Sequence, residues 1–173
     1  MIIMIKGVIG MKTDMFTNDT LKKVHEHTIE KMKEQEKALI DKAKSMDNAD
    51  SYIELTEFCY KEVRKFVGND EDLEQILTYP QITSKIFSTI VETDEFKKFE
   101  AEEVRRFPRV VLMTVVTGSE LIACQAAEEV YADDKEAVEQ FEKLKKVYHG
   151  YLQDALAYGR GEKKNISFTG NPD

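Results

Sequence analysis

Apolar side chains recur at intervals of three and four along most of this chain, and that spacing predicts one helix after another. Between Thr20 and Ser45 the apolar face is Leu21, Val24, Thr28, Met32, Leu39 and Ala43, with Lys and Glu filling most other positions. Asp19 stands where it can cap the start. The stripe is thin and Gln35 interrupts it, so residues 19–46 are expected to form a more detached, protruding helix or one that packs on a partner. Next, Ser51 and Glu54 match a capping box ahead of Tyr52, Leu55, Cys59, Val63 and Phe66. Gly68-Asn69 is the expected stop, because a left-handed C-terminal cap is cheap for glycine. An acidic turn from Asp70 to Leu77 leads to Thr78-Tyr79-Pro80, and Pro80 suits the first turn of a helix through Ile82, Ile86, Phe87, Ile90 and Val91.

Thr93-Asp94 can cap a helix anchored by Phe96, Phe99 and Phe107, which Pro108 interrupts or kinks. The run Val110 to Val116 suits a strand by propensity. It continues, however, through Leu121, Ile122, Ala126, Ala127 and Val130 at helical spacing, so a central buried helix reaching Tyr131 is expected. After Asp133-Asp134, a long stripe of Val138, Phe141, Leu144, Tyr148, Tyr151, Leu152 and Ala155 ends at Gly159. These segments and their short connections predict an all-α, compact antiparallel bundle of five to six helices. The expected organisation is a flexible N-terminus over 1–18, one helical domain over 19–159 and a disordered tail over 160–173.

Composition narrows this picture. A chain of 173 residues with 42% hydrophobic content can bury a core without disulfides or metal staples. The net charge of −8 argues against sequence-blind attraction to nucleic-acid phosphates, while leaving room for a local basic patch. The opening apolar stretch Met1 to Gly10 is short, broken by Lys6, and lacks the features of a signal peptide. The run Val110 to Val116 falls far below the roughly 20 residues of a membrane span. A cytoplasmic location is therefore expected. Cys59 and Cys124 are isolated and are expected to be buried reduced thiols, and the triplet Asn165-Ile166-Ser167 is treated as chance.

Reactive motifs are sparse. His25 and His27 lie two apart on a helix and so point to different sides, which does not suit a shared metal. Glu102 and Glu103 have no His three residues on, so the Glu-x-x-His pairs of di-metal bundles are missing. Thr117-Gly118-Ser119-Glu120 lacks the second glycine of a nucleophile elbow. No catalytic residue, metal or cofactor is expected, and the chain is not expected to be an enzyme. Acids crowd from Asp70 to Glu74 and from Glu92 to Glu103; they suit a solvated face complementing helix dipoles or a docking patch for a basic partner at Glu102 and Glu103. Three basic clusters stand out: Arg105, Arg106 and Arg109; Lys145 and Lys146; Arg160, Lys163 and Lys164. They either converge on one groove or pair with neighbouring Glu.

Three segments in order resemble the small helical subunit of type III-A CRISPR effector complexes, over roughly residues 51–161. Tyr52-Ile53-Glu54-Leu55 followed by Leu77-Thr78 looks like that family's Leu-Thr-Thr-Ser helix start, although Tyr79-Pro80 departs from it. The apolar helix from Arg109 to Gly118 is similar to the family's helix ending in Ala-Gly-Arg, with Ser119 in place of the arginine. Tyr148 to Tyr158 looks like its closing helix with an Ala-Tyr ending. The resemblance implies a non-catalytic subunit lining the guide RNA, packing on copies of itself and on larger subunits. It implies contact with an RNA duplex through Arg105, Arg106, Arg109, Lys145 and Lys146. The alternative is a helical interaction protein, a phage assembly chaperone or an inhibitor of a basic partner, acting through its acidic faces.

Overall fold

A computed structural model describes residues 15–102 and 106–168. They form seven helices: α1 (Asn18–Ala43), α2 (Ala49–Val67), α3 (Asp70–Thr78), α4 (Ile82–Val91), α5 (Asp94–Glu102), α6 (Phe107–Val130) and α7 (Lys135–Gly159). No strand occurs among the described residues, so the all-α bundle is as the spacing predicts.

The axis of the bundle is α6, against which all six other helices pack. Its burial runs around the whole helix, from Leu112 and Met113 to Ala126 and Ala127, which is why its pattern is apolar rather than amphipathic. Pro108 lies in its first turn, where a missing N–H costs little, and so begins a helix instead of kinking one. Thr117 and Ser119 are fully buried and donate to the carbonyls of Met113 and Val115, each at 2.7 Å. This helix is long and apolar enough to cross a bilayer, but 72% of its most apolar window is buried inside the bundle, as befits a core helix.

Several local expectations change. The segment read as an acidic turn is α3. Asn69 caps it by accepting from the Glu71 N–H at 3.0 Å, Asp70, Glu71 and Asp72 fill its first turn, and Leu73, Ile76 and Leu77 are buried. That extra helix, with α5 ending before α6 begins, takes the number past the five to six expected. Helix α2 starts at Ala49 without a side-chain cap, so Ser51 and Glu54 do not act as a capping box. Thr17, not Asp19, caps α1. Gly68 has right-handed backbone, and the left-handed glycine is Gly161, φ +81°. There the Gly161 N–H donates to Tyr158 and the Glu162 N–H to Ala157, closing a Schellman cap on α7.

Nor is α1 detached. It packs on α2, α3 and α6 through Leu21, Val24, Thr28 and Met32. The polar interruption at Gln35 is part of the attachment: Tyr60 donates to Gln35 Oε1 at 2.9 Å, Glu36 pairs with Arg64, and the Gln35 amide rests over Gly118 of α6. The ends are also better anchored than their composition suggests. Met15 and Phe16 pack on the core, with the Phe16 ring edge-on to Tyr131. Past α7, Ile166 and Phe168 return to the core, Phe168 meeting Phe87 and Tyr151 at ring-centroid distances of 5.6 and 6.0 Å. Residues 160–168 are thus a strap laid over α4 and α7. Of the expected flexible N-terminus over 1–18 and disordered tail over 160–173, residues 1–14 and 169–173 lie outside the described residues.

Candidate nucleic-acid interface

The start of α6 meets the C-terminal end of α7 because α6 and α7 run antiparallel along their length. Arg106, at the start of α6, donates from Nη1 to the carbonyls of Tyr158 at 2.8 Å and Lys163 at 3.3 Å. Its guanidinium lies 5.1 Å from the centroid of the Tyr158 ring, a cation–π arrangement. No described carboxylate pairs with it. One helical turn on, Arg109 is bound by Glu100 of α5, whose hydrogen bonds hold the guanidinium's charge more firmly than usual against partial burial.

Two hollows flank the Arg109 and Tyr158 side chains. One, of about 440 Å³, is lined by Glu100, Ala101, Arg109 and Tyr158. The other, of about 240 Å³, is lined by Phe87, Arg109, Tyr158, Asn165, Ile166 and Phe168. The strap brings the third basic cluster to the same end. Lys163 pairs with Asp154 and Arg160 with Glu162, while Lys164 has no ion pair among the described residues. Arg106 and Arg109 of the first cluster therefore meet at Tyr158, and the Arg106 hydrogen bond to the Lys163 carbonyl brings the backbone of the third cluster to the same end.

The second cluster does not join them. Lys145 on α7 is held by Glu128 at 2.9 Å and Glu142 at 2.8 Å. Burial works against its charge, but those hydrogen bonds prevail and raise its pKa. Glu128 lies about five turns along α6 from Arg109, roughly 28 Å of helical rise. Lys146 is exposed on the following residue, at the same remove. Arg105 and Glu103 lie outside the described residues, and Glu102 is exposed at the end of α5.

No family model, curated protein or solved structure matches the chain. His25 and His27 face different helices, 3.8 Å from Asp70 and from Glu129 respectively. No group of three His, Cys, Asp or Glu able to hold a metal occurs among the described residues. Cys59 and Cys124 are buried thiols, and burial pushes both up in pKa, away from the reactive thiolate.

The most unusual titratable group was not singled out by spacing. Glu120, in the middle of α6, is 1% exposed. Thr83 of α4 donates to its Oε1 at 2.6 Å, and its Oε2 has no partner. Burial drives its pKa well above the usual carboxylate range, with the Thr83 hydrogen bond opposing, which favours the neutral carboxyl. It has no opening to solvent, which makes it a structural group rather than a catalytic acid. Tyr158 was also missed as a site residue; the signal was its place between two stretches of basic residues that the bundle topology closes onto it.

Proposed function

We propose that the chain is a non-catalytic helical subunit of a ribonucleoprotein assembly, holding an RNA backbone at the end of the bundle where Arg106 and Arg109 meet Tyr158 and the strap carries Lys164. One observation carries this reading. Arg106 is stacked on the ring of Tyr158, which together with Arg109 lines both hollows, and its charge is uncommitted to any described acid. A guanidinium in that setting can take a phosphate oxygen without first breaking an ion pair. Arg109 would follow by exchanging Glu100 for phosphate. The acidic remainder of the surface confines nucleic acid to this end and fixes its orientation, which suits a subunit that positions and does not cut.

The resemblance over residues 51–161 supports the same role, with the site residues revised. Arg106 and Arg109 remain, while Lys145 serves the packing of α7 on α6. The acids of α3 sit mostly in its first turn, as do Asp94 and Glu95 of α5, where helix dipoles favour them, while Glu100 farther along α5 pairs with Arg109. Titration of labelled RNA at 50 mM and 200 mM salt tests the reading. Binding should be salt-dependent, and the chain should co-purify with guide RNA and large effector subunits. A chain that ignores RNA at 50 mM salt overturns it.

A further inference from the structure

The hollow under the strap differs in kind from the charged one beside it. Its walls are the rings of Phe87, Tyr158 and Phe168 and the side chain of Ile166, with Asn165 as the uncharged polar side chain at its rim and Arg109 on the wall shared with the other hollow. At about 240 Å³ it exceeds the roughly 150 Å³ that suffices for a benzene ring. A carboxamide carries donors and an acceptor together, so Asn165 can meet the edge of a heterocycle, and it is exposed with no described partner. Phosphate-binding and ring-binding features thus share a wall formed by Arg109 and Tyr158.

Building on the proposed RNA role, we infer that this hollow receives a single unstacked base, so that the protein holds single-stranded nucleic acid in preference to a duplex. The phosphate lies against Arg106 and Arg109, the base enters between Phe168 and Tyr158, and Asn165 bonds its edge. Bases inside a duplex are stacked and paired and present no free face to such a cavity. Those of a single strand do, and stacking on aromatic side chains tolerates any base. The duplex contact implied by the family resemblance is accordingly replaced by contact with a strand end, a bulge or a displaced strand.

The test uses the full chain and end-labelled oligonucleotides of one sequence, as single-stranded RNA, single-stranded DNA and an RNA duplex, followed by fluorescence anisotropy. Single strands should bind at least about tenfold tighter than the duplex. Phe168→Ala should remove most of that preference while leaving the salt dependence unchanged, and Phe168→Trp should restore it. Because Phe168 also packs on the core, Asn165→Ala at an exposed position is the second variant. It should weaken single-strand binding about threefold or more, unequally among the four bases. Equal binding of RNA and DNA strands supports a base site blind to the 2′-hydroxyl, and preference for RNA supports one that also meets the sugar. Duplex binding as tight as single-strand binding, or unchanged affinity in both variants, overturns this inference alone. Absence of binding to all three overturns it together with the proposed function.

Discussion

At the N-terminal end of α6, Arg106 rests on Tyr158 with no described carboxylate against it, whereas near the C-terminal end Lys145 is clamped between Glu128 and Glu142. Both places look alike as basic clusters in sequence. Their difference lies in what the neighbouring helix offers. Where α7 passes Glu128, it supplies a lysine that neutralises a half-buried acid. Where α7 ends, it supplies carbonyls and an aromatic ring, which orient a cation without cancelling it. Availability of charge follows from partners, and local density of Lys and Arg is a poor guide to it.

The largest effect that could break this contrast is on binding. Replacing Arg106 and Arg109 together by Ala should lower RNA affinity about ten- to a hundredfold and reduce the magnitude of the salt slope by about two. Replacing Lys145 and Lys146 should leave affinity within about twofold. Anisotropy titrations at several salt concentrations decide between the ends, and equal losses at both would erase the distinction.

Stability should show the opposite ranking. Lys145 and Glu128 are 19% and 18% exposed, and Glu128 Oε1 already lacks a partner. Lys145→Met should therefore cost about 2 kcal/mol by leaving a half-buried carboxylate unpaired, and urea unfolding would measure it. Glu128→Gln in the same background should recover part of that loss. If Lys145→Met melts like the parent chain, the pair is an ordinary surface contact.

Between the two ends, Glu120 sharpens the comparison because it is an acid without any cation. Its folded pKa is raised, so the native state keeps a proton that the unfolded chain releases above about pH 4.3. Stability from this group is complete below that pH and declines as pH rises toward the folded value. Glu120→Gln preserves an acceptor for Thr83 and cannot ionise. It should stabilise the chain by about 1–2 kcal/mol at pH 8 and by far less near pH 4.5. Urea midpoints at the two pH values provide the check. An equal gain at both would mean that shape, not ionisation, distinguishes the two side chains.

The same contrast explains what could be read from the chain. Helices whose stripe faces one neighbour, such as α2 and α7, were legible because burial of Leu55, Cys59 and Val63, or of Phe141, Leu144 and Tyr148, is itself the period of the helix. The buried course of α6 was legible from its continuous apolar length. Helix α3 was obscured because its acids suggested a solvated turn, although Asn69 and the spacing of Leu73, Ile76 and Leu77 mark a capped helix. Attachment of α1 was hidden in polar residues, since Gln35 and Glu36 find Tyr60 and Arg64 only after α2 folds back. The site depended on long-range closure: nothing local to Arg106 indicates Tyr158, 52 residues away.

Two glycines give the smallest and finest test of the comparison, one at the middle of α6 and one at its basic end. A Cβ on Gly118 would meet the Gln35 amide at 3.5 Å, an ordinary contact, so space does not demand glycine there. Alanine would remove backbone freedom from the unfolded chain and favour the helix, so Gly118→Ala should raise stability by about 0.5–1 kcal/mol, or roughly 2 °C in Tm. At Gly161 the backbone is left-handed, and a Cβ would stand 3.3 Å from Nη1 of Arg106. Gly161→Ala should cost about 1 kcal/mol and weaken RNA binding by shifting that guanidinium. Calorimetry on both, with anisotropy on the second, reads the two effects. A destabilised Gly118→Ala would show that the Gln35 bridge from Tyr60 tolerates no displacement, making α1 the tightest-fitted element on α6 instead of one attached by a thin stripe.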